Sequence, residues 1–278
     1  TSTLWEGNHG STLPAVTSLN QWQQFLLLSG NGEIVDLVTQ NGSEFESINP
    51  FTGTNVGYLN VKGAKYGAKG DGSTSDTDAW KRCLEDAYGT GTNQDGSRSY
   101  MLVPPGKYIL DDQIDIPRGV SVVGFGRNNC QLVAGAGFPF STVSENAFIR
   151  IAIGDNDSNT ISYNSTLYGL NIMNDTSNES ETNPSVGVYS MSAQEQSGLD
   201  KCLIQRFTKY GAFFETVAGS GTACQNFVCR DSSFILSASA INSPSDLPAG
   251  LCIKGSSVFK GADNLVFQVA GGSPATNT

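Results

Sequence analysis

The sequence predicts an all-β protein in which short strands form stacked coils, together with one short helix and a small N-terminal region. Two observations support this prediction. Apolar runs are interrupted by glycine, proline or polar turns every few residues, which makes the strands too short for long hairpins. The chain of 278 residues also contains 32 glycines and only 15% charged residues, a composition typical of many turns and few long helices.

The net charge of −10 argues against two classes of partner. Binding to nucleic acid or to an anionic membrane requires clustered lysine or arginine, and the overall charge of this chain repels both. An anionic glycan is not excluded, because it needs only a local basic patch. No apolar run approaches the ~20 residues of a membrane-spanning helix, so membrane insertion is not expected.

Residues 1–58 are predicted to form an N-terminal attachment or capping region. The start, TSTLWEGNHG, has no signal-peptide pattern, so we expect either a removed signal or release by another route such as virion assembly. A helix is predicted over SLNQWQQFLLL, where apolar residues recur at helical spacing. GEIVDLVTQNG then predicts a strand that ends at the turn signal Asn41-Gly42. A head for attachment or trimer formation and a cap over the coils both fit this region.

Residues 61–91 predict a helix that covers the first coil. Ser75 or Asp76 is the candidate N-cap, and Gly89 and Gly91 end the helix. The positions between them form one apolar stripe, as a helix packed on the open end of a coil stack requires. The stripe consists of Ala79, Trp80, Cys83, Leu84 and Ala87.

The coils begin near residue 100, in MLVPPGKYIL and IPRGVSVVGFG, where proline and glycine turn the chain after each strand. Further strand pairs follow to the end of the chain. Aligning Asp200 with Asp231 gives a period of 31 residues (231 − 200), within the range of solenoid repeats. By pattern alone, a sandwich of antiparallel hairpins is the alternative.

Three segments resemble the pectate-lyase-like superfamily of parallel β-helix proteins. GAKYGAKGDGSTSDTDAW resembles its glycine-rich run that leads into the capping helix, and VPPGKYIL and IPRGVSVVGFG resemble its first strands. Ser75 replaces the first aspartate of the family pattern but keeps a capping oxygen. The resemblance implies a single-stranded right-handed parallel β-helix over residues 59–278, with a short N-terminal capping helix.

The resemblance also implies a function. The superfamily includes polysaccharide lyases, glycoside hydrolases, epimerases and bacteriophage tailspikes. We expect a tailspike or tail-fibre component of the virion tail that binds a bacterial surface polysaccharide. If it is a depolymerase, it also cleaves that polysaccharide. By resemblance it is a homotrimer that contacts other tail proteins. The alternatives are a non-catalytic structural virion protein or adhesin, and a secreted polysaccharide hydrolase or lyase.

Two aspartates are the candidate acid and base of a glycoside hydrolase. Adjacent coils lie about 4.8 Å apart, so acids in register one coil apart are close to the separation that such enzymes use. Asp200 and Asp231 form this pair if the alignment holds, and Glu215 is nearby in the chain. The alternative is that these aspartates begin turns or cap strands. The candidate substrate-binding cations are Lys201, Arg206 and Arg230.

No cofactor is expected, and the metal candidates are weak. His9 is the only histidine, and none of the six cysteines forms a CxxC pair, which argues against a zinc site. A calcium site near Asp155, Asp157 and Asn159 has the alternating spacing of a calcium loop but lacks its glycine and distant glutamate. We expect the cysteines to be buried thiols, with a Cys224–Cys229 bridge as the alternative.

Overall fold

The structure is a computed structural model of the chain. It describes sixteen segments of the chain: residues 23–28, 34–41, 44–48, 55–56, 58–88, 99–136, 138, 147–151, 162–163, 165–175, 184–191, 193–194, 197–215, 224–236, 249–254 and 257–269. The calcium candidates at positions 155, 157 and 159 lie outside these segments.

The described elements are one helix and a series of short strands. In chain order they are β1 (Gln23–Leu28), β2 (Ile34–Asn41), β3 (Glu44–Ile48), β4 (Asn55–Val56), β5 (Tyr58–Asn60), β6 (Asp71–Ser75), α1 (Thr77–Tyr88), β7 (Ser99–Val103), β8 (Gly106–Leu110), β9 (Ile114–Ile116), β10 (Val120–Gly124), β11 (Cys130–Ala134), β12 (Ala147–Ile151), β13 (Ser162–Tyr163), β14 (Thr166–Tyr168), β15 (Asn171–Asn174), β16 (Val186–Met191), β17 (Ala193–Gln194), β18 (Gly198–Asp200), β19 (Leu203–Gln205), β20 (Tyr210–Glu215), β21 (Cys224–Arg230), β22 (Ser233–Leu236), β23 (Ala249–Lys254), β24 (Ser257–Asp263) and β25 (Val266–Val269).

The N-terminal strands β1–β4 form an antiparallel sheet. The helix predicted over SLNQWQQFLLL is wrong at its C-terminal half, because Gln23–Leu28 is a strand paired with β2. The continuous apolar run FLLL fits a buried strand as well as a helix, so spacing does not separate the two. The predicted strand is confirmed as β2, and Asn41 pairs with Glu44 across the predicted turn. The division of the chain at residues 58 and 59 stays a prediction.

From β5 onward the chain is a right-handed parallel β-helix, as predicted, and its strands form three parallel sheets. Each complete coil crosses the first, second and third sheets in turn, and every strand pairs with the equivalent strand of the next coil. The parallel pairing excludes the sandwich of antiparallel hairpins. The first sheet contains β5, β7, β10, β14, β18, β21 and β24, with β13 and β17 beside them; the second contains β6, β8, β11, β15, β19, β22 and β25; the third contains β9, β12, β16, β20 and β23.

The predicted capping helix is confirmed as α1, and its predicted apolar stripe is buried. Asp76 is its N-cap by backbone position, since the Trp80 N–H donates to the Asp76 carbonyl. The Asp76 carboxylate instead accepts from the N–H groups of Lys69 and Gly70, at 2.6 and 3.0 Å, and so holds the preceding loop. Burial raises the pKa of this carboxyl group. The described part of the chain contains no helix long and apolar enough to cross a membrane.

The core lies inside the coils, where a column of glycines in the third sheet lies against phenylalanine rings. A Cβ built on Gly211 would lie 2.6 Å from the Gly250 oxygen and 2.7 Å from Phe234 Cδ1. Only glycine leaves room for the rings, and each buried ring stabilises the fold by about 2 kcal/mol. The glycine column consists of Gly187, Gly211 and Gly250. The rings next to it are the buried Phe207 and Phe234, and Phe267, which is 56% exposed.

The cysteines that the structure describes are free thiols. Cys83, Cys130, Cys202 and Cys229 are buried, as expected, while Cys252 is partly exposed. Because Cys229 is free, the Cys224–Cys229 bridge is not formed. The four buried cysteines therefore act as small apolar side chains in the core.

Candidate functional site

The corner between the first and second sheets repeats the same left-handed backbone position in four successive coils. We call this set the corner column; its φ values lie between 48° and 65°. Glycine, asparagine and aspartate adopt this conformation readily, whereas for most other residues it costs about 1–2 kcal/mol. The corner column consists of Gly169, Lys201, Asp231 and Asn264.

The residue just before each corner belongs to a second column, which ends the strands of the first sheet. This strand-end column consists of Tyr168, Asp200, Arg230 and Asp263, paired in that order. Asp200 therefore lies opposite Arg230, 30 residues away. The predicted alignment of Asp200 with Asp231 is wrong by one residue, because Asp231 occupies the corner and not the strand.

Asp200 is a buried acid at the outer edge of the first sheet. It is only 5% exposed, and its Oδ2 accepts hydrogen bonds from Nε and Nη2 of Arg230, at 2.9 and 2.7 Å. Its Oδ1 is buried and accepts no hydrogen bond from the described residues. The hydrogen bonds to Asp200 raise the pKa of Arg230, which is itself exposed.

Lys201 and Tyr168 form a second polar pair at the same corner. The Lys201 ammonium donates to the Tyr168 hydroxyl at 3.0 Å and lies 5.1 Å from the centre of the ring. This hydrogen bond raises the pKa of Lys201. The exposed ammonium group is therefore held against the preceding coil, next to the Asp200–Arg230 pair.

Asp231 lies one coil further, partly exposed, and its Oδ1 accepts a hydrogen bond from Nδ2 of Asn264 at 2.8 Å. Asp231 thus occupies a turn, as the alternative interpretation of the aspartates expects, whereas Asp200 ends a strand. The two acids lie in adjacent coils, which stack about 4.8 Å apart, and Asp231 is one position further along the strand direction.

The other two predicted site residues lie elsewhere. Arg206 occupies the corner between the second and third sheets, with φ 68° and its N–H donating to the Ile235 carbonyl at 2.7 Å. Glu215 ends a strand of the third sheet, where it accepts a hydrogen bond from the Tyr189 hydroxyl at 2.7 Å and pairs with Lys254 at 3.4 Å. Arg206 and Glu215 thus occupy other positions of the coil than the corner column.

The structure thus brings together Asp200, Lys201, Arg230 and Asp231, and it adds two residues that the sequence did not indicate. Tyr168 and Asn264 contribute a hydroxyl and an amide to the same surface. One sequence signal could have found them, because glycine, aspartate and asparagine tolerate a left-handed corner. Aligning Gly169, Asp231 and Asn264 as equivalent corner positions sets the register of the coils. In that register Lys201 is the equivalent of Gly169, so Tyr168 lies in the coil before it.

The corner surface suits hydrogen bonding to a hydroxyl-rich or acid-bearing ligand. Along successive coils it carries positively charged donors and negatively charged acceptors. A metal site needs only the negatively charged or neutral ligands. Among the residues that the structure describes, no group of three histidines, cysteines or acids is placed to hold a metal ion.

The family of the chain follows from its sequence. A model of the rhamnogalacturonase A/epimerase, pectate lyase-like family matches residues 58–247. The chain belongs to this family. The resemblance carried by GAKYGAKGDGSTSDTDAW and the strands after it is thereby confirmed. No curated protein matches this pectate lyase-like chain at a significant level.

Solved structures with a similar fold include ORF18 of Geobacillus virus E2, at 15% identity and a TM-score of 0.45, covering 82% of this chain and 46% of that chain. The Dettilon tailspike protein matches at 14% identity and a TM-score of 0.45, covering 73% and 38%. The A-module of an Azotobacter vinelandii mannuronan C-5 epimerase matches at 14% identity and a TM-score of 0.43, covering 75% and 54%. The chain therefore spans about half or less of the length of these proteins.

Proposed function

We propose that this chain binds a polysaccharide along the corner between the first and second sheets and serves as a tailspike or tail-fibre component that attaches to a bacterial surface glycan. The observation that carries the proposal is the convergence of Tyr168, Asp200, Lys201 and Arg230 at one exposed corner. Membership of a pectate lyase-like family supports a saccharide ligand.

The hydrogen-bonding groups of the corner suit a saccharide. A sugar ring presents hydroxyl groups that both donate and accept, and it is bound by side chains of both kinds. Arg230 Nη1 and the remaining Lys201 protons offer donors, and the partly exposed Asp231 carboxylate and Asn264 amide offer acceptors. Tyr168 adds an aromatic edge beside them.

The catalytic version of the proposal keeps Asp200 and Asp231 as the acid and base of glycoside hydrolysis. The two residues lie in adjacent coils, which stack about 4.8 Å apart, and glycoside hydrolysis needs two carboxyl groups that flank one glycosidic bond. Glu215 has no part in this version, because it contacts Tyr189 and Lys254 in the third sheet.

A specific observation favours a second candidate, the non-catalytic adhesin. Both acids already have structural partners, since Arg230 binds Asp200 and Asn264 binds Asp231. An acid held in this way stabilises a corner without transferring protons. In this version the protein binds glycan and releases no sugar.

One experiment separates these versions. The chain and its Asp200→Asn and Asp231→Asn variants are incubated with a panel of bacterial capsules and lipopolysaccharides, while binding and new reducing ends are measured. Asp112→Asn is the matched control, because Asp112 pairs with Lys81 far from the corner. Cleavage that both corner variants abolish supports the enzyme, and binding without cleavage supports the adhesin.

If no glycan of the panel is bound, the proposed function is wrong. Native mass spectrometry of the intact protein tests the homotrimer and its association with other tail proteins. A signal peptide encoded upstream in the gene would support the remaining alternative, a secreted hydrolase or lyase.

A further inference from the structure

The corner between β10 and β11, which joins the first and second sheets, is longer than the four corners of the corner column. Two residues join these sheets at each corner of the corner column, but five residues, 125–129, join β10 to β11. All five are exposed. The insertion therefore projects from the coil without entering the core.

The inserted loop folds along the column towards later coils. A Cβ built on Gly169, the first member of the corner column, would lie 2.7 Å from the Gly124 oxygen and 3.4 Å from the Gly126 nitrogen. The absence of a side chain at Gly169 thus makes room for the loop to pass over this corner. Since Gly169 also has a φ of 65°, a larger residue there meets both a steric and a backbone penalty.

Arg127, in the middle of the loop, extends to the far side of the corner site. Its Nη1 donates to the Ser233 hydroxyl at 3.0 Å. Ser233 belongs to β22, and β15 and β19 lie between it and β11 in the second sheet. The loop and side chain together cross about 14 Å of stacked coils, past the coils that carry Tyr168 and Lys201.

Arg127 keeps its charge available. No ion pair within the described residues includes Arg127, and its one hydrogen bond there is to a neutral hydroxyl. The Lys201 ammonium donates to another neutral group, the Tyr168 hydroxyl. A guanidinium group binds a carboxylate or sulfate through two parallel hydrogen bonds, which are stronger than one bond to a serine.

We propose that Arg127 is a specificity-determining residue of the corner site, which exchanges the Ser233 hydroxyl for the acid group of a bound saccharide. The inserted loop thereby makes the site prefer acid-bearing saccharides over neutral ones of the same backbone. This inference rests on the proposed saccharide site and adds the selection of charge to it.

The experiment compares oligogalacturonate and oligosialate with their carboxyl-reduced forms, by isothermal titration calorimetry. The wild-type chain binds the acid forms more tightly than the reduced forms, and Arg127→Ala lowers affinity for the acid forms about tenfold without changing affinity for the reduced forms. Arg127→Lys keeps part of the preference for the acid forms, because it keeps the positive charge but loses the two parallel hydrogen bonds of the guanidinium group. Lys81→Ala is the charge-matched control, remote from the corner.

Ser233→Ala separates recognition from simple support of the loop. Both Ser233→Ala and Arg127→Ala break the same hydrogen bond, so a purely structural role predicts the same loss of affinity for both. The proposal predicts that Ser233→Ala retains or increases affinity for the acid forms. Thermal unfolding of each variant confirms that it is folded.

The outcomes distinguish the inference from the proposed function. Equal binding of acid and reduced forms, or equal losses in Arg127→Ala and Ser233→Ala, overturns the role of Arg127 and leaves the saccharide site standing. Absence of binding to all four probes also overturns it, and the panel of bacterial polysaccharides then decides separately whether the site binds glycan.

Discussion

Arg230 donates two hydrogen bonds to a single carboxylate oxygen of Asp200, from Nε at 2.9 Å and from Nη2 at 2.7 Å. The two partners differ in environment, because the Asp200 side chain is 8% exposed and the Arg230 side chain is 57% exposed. The buried acid therefore depends on the exposed base for its charge compensation.

This asymmetry predicts the result of a double-mutant cycle. Arg230→Ala leaves a buried carboxylate without its partner and lowers the free energy of unfolding by about 2 kcal/mol. Asp200→Asn keeps the shape and leaves no buried charge, so it costs less. The double variant is more stable than the sum of the two changes predicts. Chemical denaturation measures all four proteins, and simple additivity would contradict the assignment.

The left-handed position of Lys201 predicts that its backbone and its charge have separable effects. Lys201→Gly and Lys201→Val both remove the ammonium group and lower glycan affinity equally. Valine is β-branched and is disfavoured at the φ of 54°, so Lys201→Val is less stable than Lys201→Gly by about 1–2 kcal/mol. Thermal or chemical unfolding checks the difference. Equal stability of the two variants would show that the corner relaxes to another conformation.

The glycine column predicts a severe effect of one added methyl group. Gly211→Ala places a Cβ within 2.6 Å of a backbone oxygen and 2.7 Å of the Phe234 ring, so it destabilises the fold by about 3 kcal/mol. Gly67→Ala is the control, because no atom lies within 4 Å of its Cβ although its φ is 75°. We expect Gly67→Ala to cost only about 1 kcal/mol of backbone strain. Similar unfolding midpoints for the two variants would contradict the packing described here.

Two buried thiols predict a loss of stability in alkali. Burial raises the pKa of Cys202 and Cys229 to about 12, from an ordinary 9.0. Below about pH 9 the thiols hold their protons in both states, and stability is unaffected. As the pH rises towards 12 the unfolded chain releases protons that the folded chain keeps, so the free energy of unfolding falls by up to about 1.4 kcal/mol per pH unit for each thiol.

Urea denaturation at pH 8 and pH 10 measures this slope. Cys202→Ala makes the slope shallower, whereas Ser190→Ala, a buried change in the third sheet that removes no titrating group, leaves it as in the wild type. An unchanged slope in Cys202→Ala would show that its thiol is already ionised or already accessible in the folded state.

The sequence predicted the fold well because its signals are local. A capped helix with one apolar face and turns after every short strand act within a few residues, and both were confirmed in α1 and the coils. The run FLLL was assigned to a helix because its partner strand β2 lies outside that local window. Pairing with β2 decided the outcome.

The candidate site was only partly predictable, because its geometry depends on register between coils. Lys201 is an unusual occupant of a left-handed corner, so the alignment followed the two aspartates and slipped by one residue. Tyr168 and Arg127 act through partners 33 and 106 residues away, and nothing in their own segments indicates those partners.

The inserted corner loop changes how variation in this fold should be understood. β10 and β11 keep their pairing with the coils on both sides despite the three additional residues between them. The number of residues can therefore vary at an exposed corner. At Gly211, which faces the core, there is no room even for one additional methyl group. Recognition of new ligands can thus arise at the corners by insertion or deletion, with each coil altered independently and the interior left as it is.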